Sequence, residues 1–442
     1  MTSRTSDIGA GTPHTAEIVV VGAGLAGLCA ARTLQRAGRQ VRVLEASEHL
    51  GGRVWSREVE GYTIDAGFLG MFTDYPAARR QFDYSALDLV VLKPSAVLRQ
   101  AAGLAEVMGD PRRDPGALPG DLTAGALTAA DRLHAARLAA ELLAGPAHAL
   151  LNGPDTSTRE FLLERGFSER SLERFFTPFF GGLVIDRELK TSANLFRYYM
   201  RLLITGDVAI PRRGMSELPR QLAAELDVQR SVRVQGLSSS GQGVTLHTTA
   251  GELRAKQVIV ATDPPTAARL LGEQPGDPRP VERGSLSSTY LHFRAPQALE
   301  PQPRLQLNAR PTGWLNQVLW LDQVFPGRVP GERGLLIASL WGIPEGDDAA
   351  LADLALAELR EWYGDAADTL DLLAVDRIPH VQYPQPAGYA ASLPGHSTAL
   401  PNVFLASEVT SLSGIQGALE SGEKAAAAIL GDLEVLSRPR GA

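Results

Sequence analysis

The residues best placed to do chemistry are the three glycines of Val21-Gly22-Ala23-Gly24-Leu25-Ala26-Gly27-Leu28, which stand where a β-branched run gives way to an Ala/Leu-rich one. That spacing suits one task, the cradling of a diphosphate. Gly22 lets the chain turn sharply, Gly24 carries no side chain to block the anion, and Gly27 allows helix and strand to pack closely. Leu25 and Ala26 then open a helix whose first amides face the phosphates. Glu45 ends the next expected strand, where a carboxylate accepts hydrogen bonds from a ribose, with Ala46 beside it. A glycine-rich turn in an ordinary α/β protein would share the pattern, so the residues that follow Glu45 decide between the two.

Those residues are Gly51-Gly52-Arg53-Val54, then Gly61-Tyr62-Thr63-Ile64-Asp65-Ala66-Gly67-Phe68-Leu69. Together with the glycine turn they resemble the flavin amine oxidase and phytoene desaturase superfamily, which includes protoporphyrinogen oxidases. The resemblance implies non-covalently bound FAD rather than NAD. It places Gly51, Gly52 and Arg53 beside the pyrophosphate and passes Gly67, Phe68 and Leu69 close to the flavin ring. Two later blocks are similar to the same family. Pro211 to Leu218, followed by Ser231 to Leu237, looks like a mid-chain return in which Val234 offers its backbone to the adenine. Asn402 to Glu408, followed by Gly414 to Gly422, resembles the C-terminal flavin motif, with Glu408 at the ribityl or pyrophosphate region. There Gly414, Ile415 and Gln416 begin a helix aimed at the flavin N1 and O2 edge, where a positive helix end stabilises the charge of a reduced ring.

The match covers roughly half the chain, and it has departures. Ser288 stands where amine oxidases of this family keep a lysine, the usual aromatic cage is missing, and Cys29 is misplaced for covalent flavin attachment. The resemblance therefore lies nearer the desaturase and protoporphyrinogen oxidase branches. It implies dehydrogenation of a hydrophobic small molecule, isoprenoid-like, carotenoid-like or porphyrinogen-like, by hydride transfer to flavin N5, with oxygen or a quinone as electron acceptor. No side chain is assigned as acid or base. A redox-neutral flavin isomerase, an amine oxidase without the usual lysine and cage, and a non-enzymatic flavin-binding protein remain open. The aromatic residues between Phe175 and Tyr199 serve either as pocket wall or as helix core.

The elements that must position these residues form an α/β chain: a Rossmann-type FAD-binding domain on a parallel sheet, with an interleaved substrate domain of mixed sheet plus helices. The FAD domain is expected from 16–70, 206–275 and 386–434, the substrate domain from 71–205 and 276–385, with a flexible leader over 1–15. Strands are expected at Glu17 to Gly22, Val41 to Glu45, Gln257 to Ala261, Leu305 to Asn308, Gly334 to Trp341 and Val403 to Ala406. Helical texture fills Leu25 to Ala37, Thr123 to Leu151, Ser157 to Leu203, Ala349 to Tyr363 and Gly417 to Leu433.

With 44% hydrophobic and 21% charged residues the composition is that of an ordinary globular protein, and the formal net charge of -7 is spread without a basic stripe, which argues against nucleic acid as a partner. Cys29 is the single cysteine, so no disulfide framework is available and a reducing cytoplasm fits. No run is apolar and long enough to span a bilayer, which leaves peripheral membrane contact open. The histidines fall at no metal-ligand spacing, and neither a hydrolase elbow nor a phosphate loop ending in Gly-Lys appears.

Overall fold

The computed structural model describes residues 15–67, 70–100, 103–110, 112–117 and 125–431. It contains α-helices and two seven-stranded sheets, the mixed α/β architecture expected. The leader at 1–14, Phe68, Leu69 and the chain beyond 431 lie outside the described residues.

In the first sheet the strands run in the order Asp227–Gln229, Val41–Leu44, Thr15–Val21, Gly251–Val260, Gly243–Thr248 and Val234–Ser240, with Val403–Leu405 also paired to Gly251–Val260. The central pairings are parallel, and Gly251–Val260, Gly243–Thr248 and Val234–Ser240 form antiparallel hairpins at one side. Ile18, Val19, Val20, Val258, Ile259 and Val260 are all fully buried, as parallel strands covered on both faces require. The chain leaves Thr15–Val21 toward one side of the sheet and later returns on the other with Gly251–Val260. That reversal opens a crevice at the carboxyl ends of the strands.

Helices Leu25–Arg36 and Ile415–Leu430 pack on each other through small residues. The Cys29 thiol donates to the Leu419 carbonyl at 3.2 Å, and a Cβ added to Gly422 would lie 2.4 Å from the Ala26 carbonyl oxygen. Gly422→Val is therefore expected to lower the unfolding free energy by about 1–3 kcal/mol through overpacking, read from denaturant midpoints. An unchanged midpoint would show that the two helices can separate freely.

The second sheet runs Asp371–Gln382, Leu286–Ala295, Gly334–Trp341, Leu315–Trp320, Leu305–Asn308, Ser95–Arg99, Ala105–Gly109. Helix Asp348–Tyr363 covers one face, packing Leu351, Ala355 and Leu359 on Leu291, Phe293 and Leu336. Strand alternation turns Ser288, Tyr290 and His292 to the other face, together with Trp341 and Ser339, the cross-strand partners of Ser288 and Tyr290. The helical layer lies on that second face, where Phe175 and Phe179 meet Leu98 and Leu307.

Two features differ from the sequence expectation. Ser95–Arg99 and Ala105–Gly109 add strands to the second sheet from a stretch of the expected substrate domain for which no element was expected. Asp371–Gln382 is a twelve-residue strand for which no element was expected. It is an edge strand, half-exposed along much of its length and interrupted by Pro379, so it lacks a clean apolar alternation.

Candidate functional site

The glycine turn closes the carboxyl end of Thr15–Val21. Gly22 donates to the Leu44 carbonyl at 2.8 Å, and a Cβ added to it would approach the Ala261 carbonyl oxygen to 2.6 Å; one added to Gly27 would approach that of Gly22 to 2.1 Å. These two glycines are needed for packing. Gly24 differs, because a Cβ there would project into space with no protein atom within 4 Å. Gly24 is also the N-cap of helix Leu25–Arg36 and provides no side-chain cap, so Leu25 and Ala26 open an uncapped helix start. The second glycine pair stands against it: Gly24 bridges to Gly51, the Gly51 amide donates to the Ala23 carbonyl at 2.8 Å, and a Cβ on Gly52 would lie 3.6 Å from Gly24 Cα.

Glu45 sits beside this cradle. Its carboxylate accepts the Ala23 amide at 2.7 Å and the Ser47 amide and hydroxyl at 2.8 Å each, which orients it without exhausting its lone pairs. The Val232 amide donates to the Glu45 carbonyl at 2.8 Å and the Ser231 amide to that of Ser47 at 3.0 Å, so the segment leading into buried Val234 is tied to the strand end that carries Glu45 and half-buried Ala46. The structure thus joins the mid-chain return to the strand end at Glu45 from a distant segment.

Helix Ile415–Leu430 supplies a second uncapped start. Its N-cap Gly414 has φ 101 and ψ -171, a conformation open essentially to glycine alone, and a Cβ there would again meet nothing within 4 Å. Glu408, 4% exposed, shapes this turn by accepting the Ser413 hydroxyl and the Gly414 amide, both at 2.9 Å. Tyr199 and Tyr383 fix the same segment by donating to the Ser413 and Ser411 carbonyls at 3.0 and 2.7 Å. The two glycine-initiated helix ends, with open space above Gly24 and Gly414, fit an anionic dinucleotide diphosphate and the electron-rich edge of a reduced ring.

Two polar side chains near the cradle are engaged within the protein. Arg53 forms an ion pair with Glu408 at 2.7 Å and donates to the His380 and Val381 carbonyls at 3.0 and 2.7 Å. A guanidinium has five donors and these contacts use three, so Arg53 can add a phosphate contact only on top of a structural tie. The Gln416 side chain turns away from the helix start, its oxygen accepting the Ala77 amide at 2.9 Å in the first turn of helix Pro76–Gln81. The helix start itself presents the backbone amides of Ile415 and Gln416.

Gly67 faces the second sheet: a Cβ there would lie 3.1 Å from the Tyr290 ring and 3.3 Å from Ile378 Cδ1. Tyr290 was not singled out from the sequence, although the alternation through Ser288, Tyr290 and His292 signals it. It is 4% exposed, and burial pushes its hydroxyl up to about 12 despite the offsetting Ser288 hydroxyl. Ser288 itself donates to the Leu340 carbonyl at 2.7 Å, which commits it to the sheet. Asp376, directly across from Tyr290, pairs with Arg57 at 2.8 Å and lies 3.3 Å from His292 Nε2. Burial pushes the Asp376 carboxyl up, but the adjacent His292 and Arg57 side chains outweigh it and hold the group below the usual carboxylate range. No lysine faces this region: Lys190 and Lys424 pair with Glu188 and Glu420, Lys93 lies 4.0 Å from Asp114, and Lys256 is on Gly251–Val260 of the first sheet. Of the aromatic residues, Phe176, Phe180, Phe196, Tyr198 and Tyr199 are buried core, whereas Phe175, Phe179 and Leu183 are only half-buried. Among the described residues no group of His, Cys, Asp or Glu comes together as a metal would need, and no helix is long and apolar enough to cross a membrane.

The chain matches the family of flavin containing amine oxidoreductases over residues 25–430. A putrescine oxidase from Kocuria rosea is 53% identical over 60 residues, 14% of this chain and 13% of that protein. A phytoene dehydrogenase from Streptomyces griseus is 31% identical over 309 residues, 62% of this chain and 59% of its own. The aligned regions thus span from 13% to 59% of these two curated relatives. Among solved structures, an oxidoreductase from Methanosarcina mazei shares the fold, with a TM-score of 0.71 at 17% identity over 94% of this chain and 100% of that one. The extent of the family match and the glycine architecture agree, and the chain belongs to the flavin containing amine oxidoreductases, whose cofactor is FAD.

Proposed function

We propose that this chain dehydrogenates a largely apolar small molecule, isoprenoid-like, carotenoid-like or porphyrinogen-like, and that oxygen or a quinone takes up the electrons. The carrying observation is the pair of uncapped helix starts at Gly24 and Gly414, each opening from the carboxyl edge of a parallel strand. Bound FAD supplies a hydride acceptor at N5. In this reading Gly22, Gly24, Leu25, Ala26 and Gly27 hold the diphosphate together with Gly51, Gly52 and Arg53. Glu45 with Ala46 receives the adenosine ribose, and Val234 lies at the adenine. Glu408 and Gly414 to Gln416 shape the flavin edge through the backbone, and Gly67, with Phe68 and Leu69 beyond it, borders the ring.

Toward the substrate, the residues of the second sheet orient and exclude water. The Tyr290 hydroxyl stays protonated through the neutral range, so it can donate a hydrogen bond there but cannot act as a base. Half-buried Phe175, Phe179 and Leu183 favour an apolar substrate body, and the absence of a lysine from this face separates the site from the amine oxidases the sequence resembles. The remaining parts of the proposal are that the first sheet with its two helices is the FAD-binding unit and that the chain works in the cytoplasm.

Anaerobic mixing of the FAD-loaded protein with carotenoid precursors, porphyrinogens and amines tests the substrate class. Bleaching of the flavin band by either of the first two supports the proposal, and bleaching by amines alone overturns it. Glu45→Ala is expected to weaken FAD binding about tenfold, the worth of one or two hydrogen bonds to a charged acceptor, while the fold persists. Equal affinity in a titration of apoprotein would remove Glu45 from the ribose role.

A further inference from the structure

The helical layer over the second sheet concentrates its irregular backbone in one short stretch. Leu172–Gly181 is a π-helix with Pro178 inside it, and Ile185 and Leu189 follow at φ 55 and 56. A β-branched residue seldom enters this left-handed region, and such strain persists where the surroundings enforce it and clusters at ligand sites, as π-turns do. Between the two strained residues Arg187 holds its guanidinium 4.9 Å over the Trp341 ring. It donates to the Gly313 carbonyl, and among the described residues no carboxylate comes within ion-pairing distance of it. Burial lowers its affinity for the proton, offset in part by more distant Glu358, which is the mark of a cation short of an anion.

A second observation points into the same corner. Asn316 is 3% exposed, its amide oxygen has no hydrogen-bond partner, and it lies against Gly182 at the start of the loop that carries Arg187. A buried carboxamide left unpaired is costly, and because its oxygen and nitrogen exchange places on a half-turn of the side chain, it can present an N–H to a ligand that accepts a hydrogen bond. The corner borders the crevice. The Leu183 carbonyl accepts Gln382 at 2.8 Å, on the same strand end where Arg53 meets His380 and Val381. Trp341 is the cross-strand partner of Ser288, and Ser288 of Ile378, whose side chain flanks Gly67. At about 4.8 Å per strand, Trp341 stands roughly 10 Å along the sheet from that flank.

We infer that Arg187 and Asn316 form an anion-binding subsite that holds a carboxylate at one end of the substrate, roughly 10 Å from the bond that is oxidised. This deepens the proposed dehydrogenation and rests on that reading for the substrate's role, though the subsite is a binding claim in its own right. The planar guanidinium meets a carboxylate with two parallel hydrogen bonds, Trp341 supports it from below, and the Asn316 amide, which can present oxygen or nitrogen, adds a third contact. The substrate class is thereby narrowed from apolar molecules in general to amphipathic acids.

Calorimetric titration of the FAD-loaded protein with octanoate and with octanamide, equal in length and different in charge, tests this. Octanoate is expected to bind at least tenfold tighter. Arg187→Met should remove that preference and Arg187→Lys should keep part of it. If Arg187→Met fails to fold, Asn316→Leu is the second variant, expected to weaken octanoate at least threefold. Equal binding of the two probes, binding of neither, or a preference that survives both substitutions overturns the subsite. Flavin bleaching by a neutral donor without any carboxylate preference would leave the dehydrogenation standing and remove the subsite alone; an Arg187-dependent preference in a protein whose flavin no donor bleaches would do the reverse.

Discussion

Gly24→Val is expected to give a folded chain that no longer retains FAD. Gly24 has φ -71 and ψ 174, extended backbone that valine adopts readily, and a Cβ there meets no protein atom within 4 Å. The substitution should therefore leave the unfolding midpoint nearly unchanged. The isopropyl group instead fills the space that an anion must enter to reach the first amides of helix Leu25–Arg36, so affinity should fall on the order of 100-fold or more, about 2.7 kcal/mol. The flavin-to-protein ratio after gel filtration reads this directly. Gly27→Ala is the contrasting control: its Cβ would sit 2.1 Å from the Gly22 carbonyl oxygen, so it should lose stability first and flavin as a consequence. A Gly24→Val protein with full flavin content would displace the diphosphate from this turn.

Arg328→Met is expected to lower stability by about 3–5 kcal/mol, because it leaves a buried carboxylate without its counter-charge. Arg328 is 2% exposed and pairs with Asp65 at 2.7 Å, while donating to the Pro211 and Arg212 carbonyls at 2.6 and 2.9 Å. Asp65 also accepts the Ser56 hydroxyl at 2.6 Å and the Met215 amide at 2.9 Å. One ion pair thus ties the hairpin of Ser56–Val59 and Tyr62–Asp65, which leads to Gly67, to the mid-chain return and to the turn Pro326–Arg328 between two strands of the second sheet. Met is close to Arg in length but supplies none of these donors. The double variant Asp65→Asn with Arg328→Met should recover part of the loss, since neither charge is then stranded. Guanidinium unfolding curves decide it, and a single variant within 1 kcal/mol of the parent protein would contradict the account of what holds this junction.

The parts of the fold written in local pattern were legible in the chain. Strand Thr15–Val21, helix Leu25–Arg36 and strands Leu305–Asn308 and Gly334–Trp341 carry their periodicity in their own residues, and a glycine's role at Gly22 or Gly27 follows from neighbours a few positions away. Side-chain roles depended on partners far along the chain. Arg53 looked free for a phosphate until the fold placed the strand end at His380 and Val381 beside it, and nothing near Gln416 in the chain signals that its side chain meets Ala77. Tyr290 escaped because its importance comes from Gly67 across the interface between two sheets rather than from any motif of its own. Strand Asp371–Gln382 was hidden for a different reason, since a half-exposed edge need not alternate.

The central claim is that two distant glycine turns, Gly24 and Gly414, enclose one FAD. It is tested most directly by purifying the chain, quantifying bound flavin against protein, and identifying by chromatography what acid or heat releases. The account predicts stoichiometric, intact FAD, released without covalent bonds to the protein and regained when the apoprotein is mixed with FAD. A folded, colourless protein that takes up no FAD from solution would contradict it.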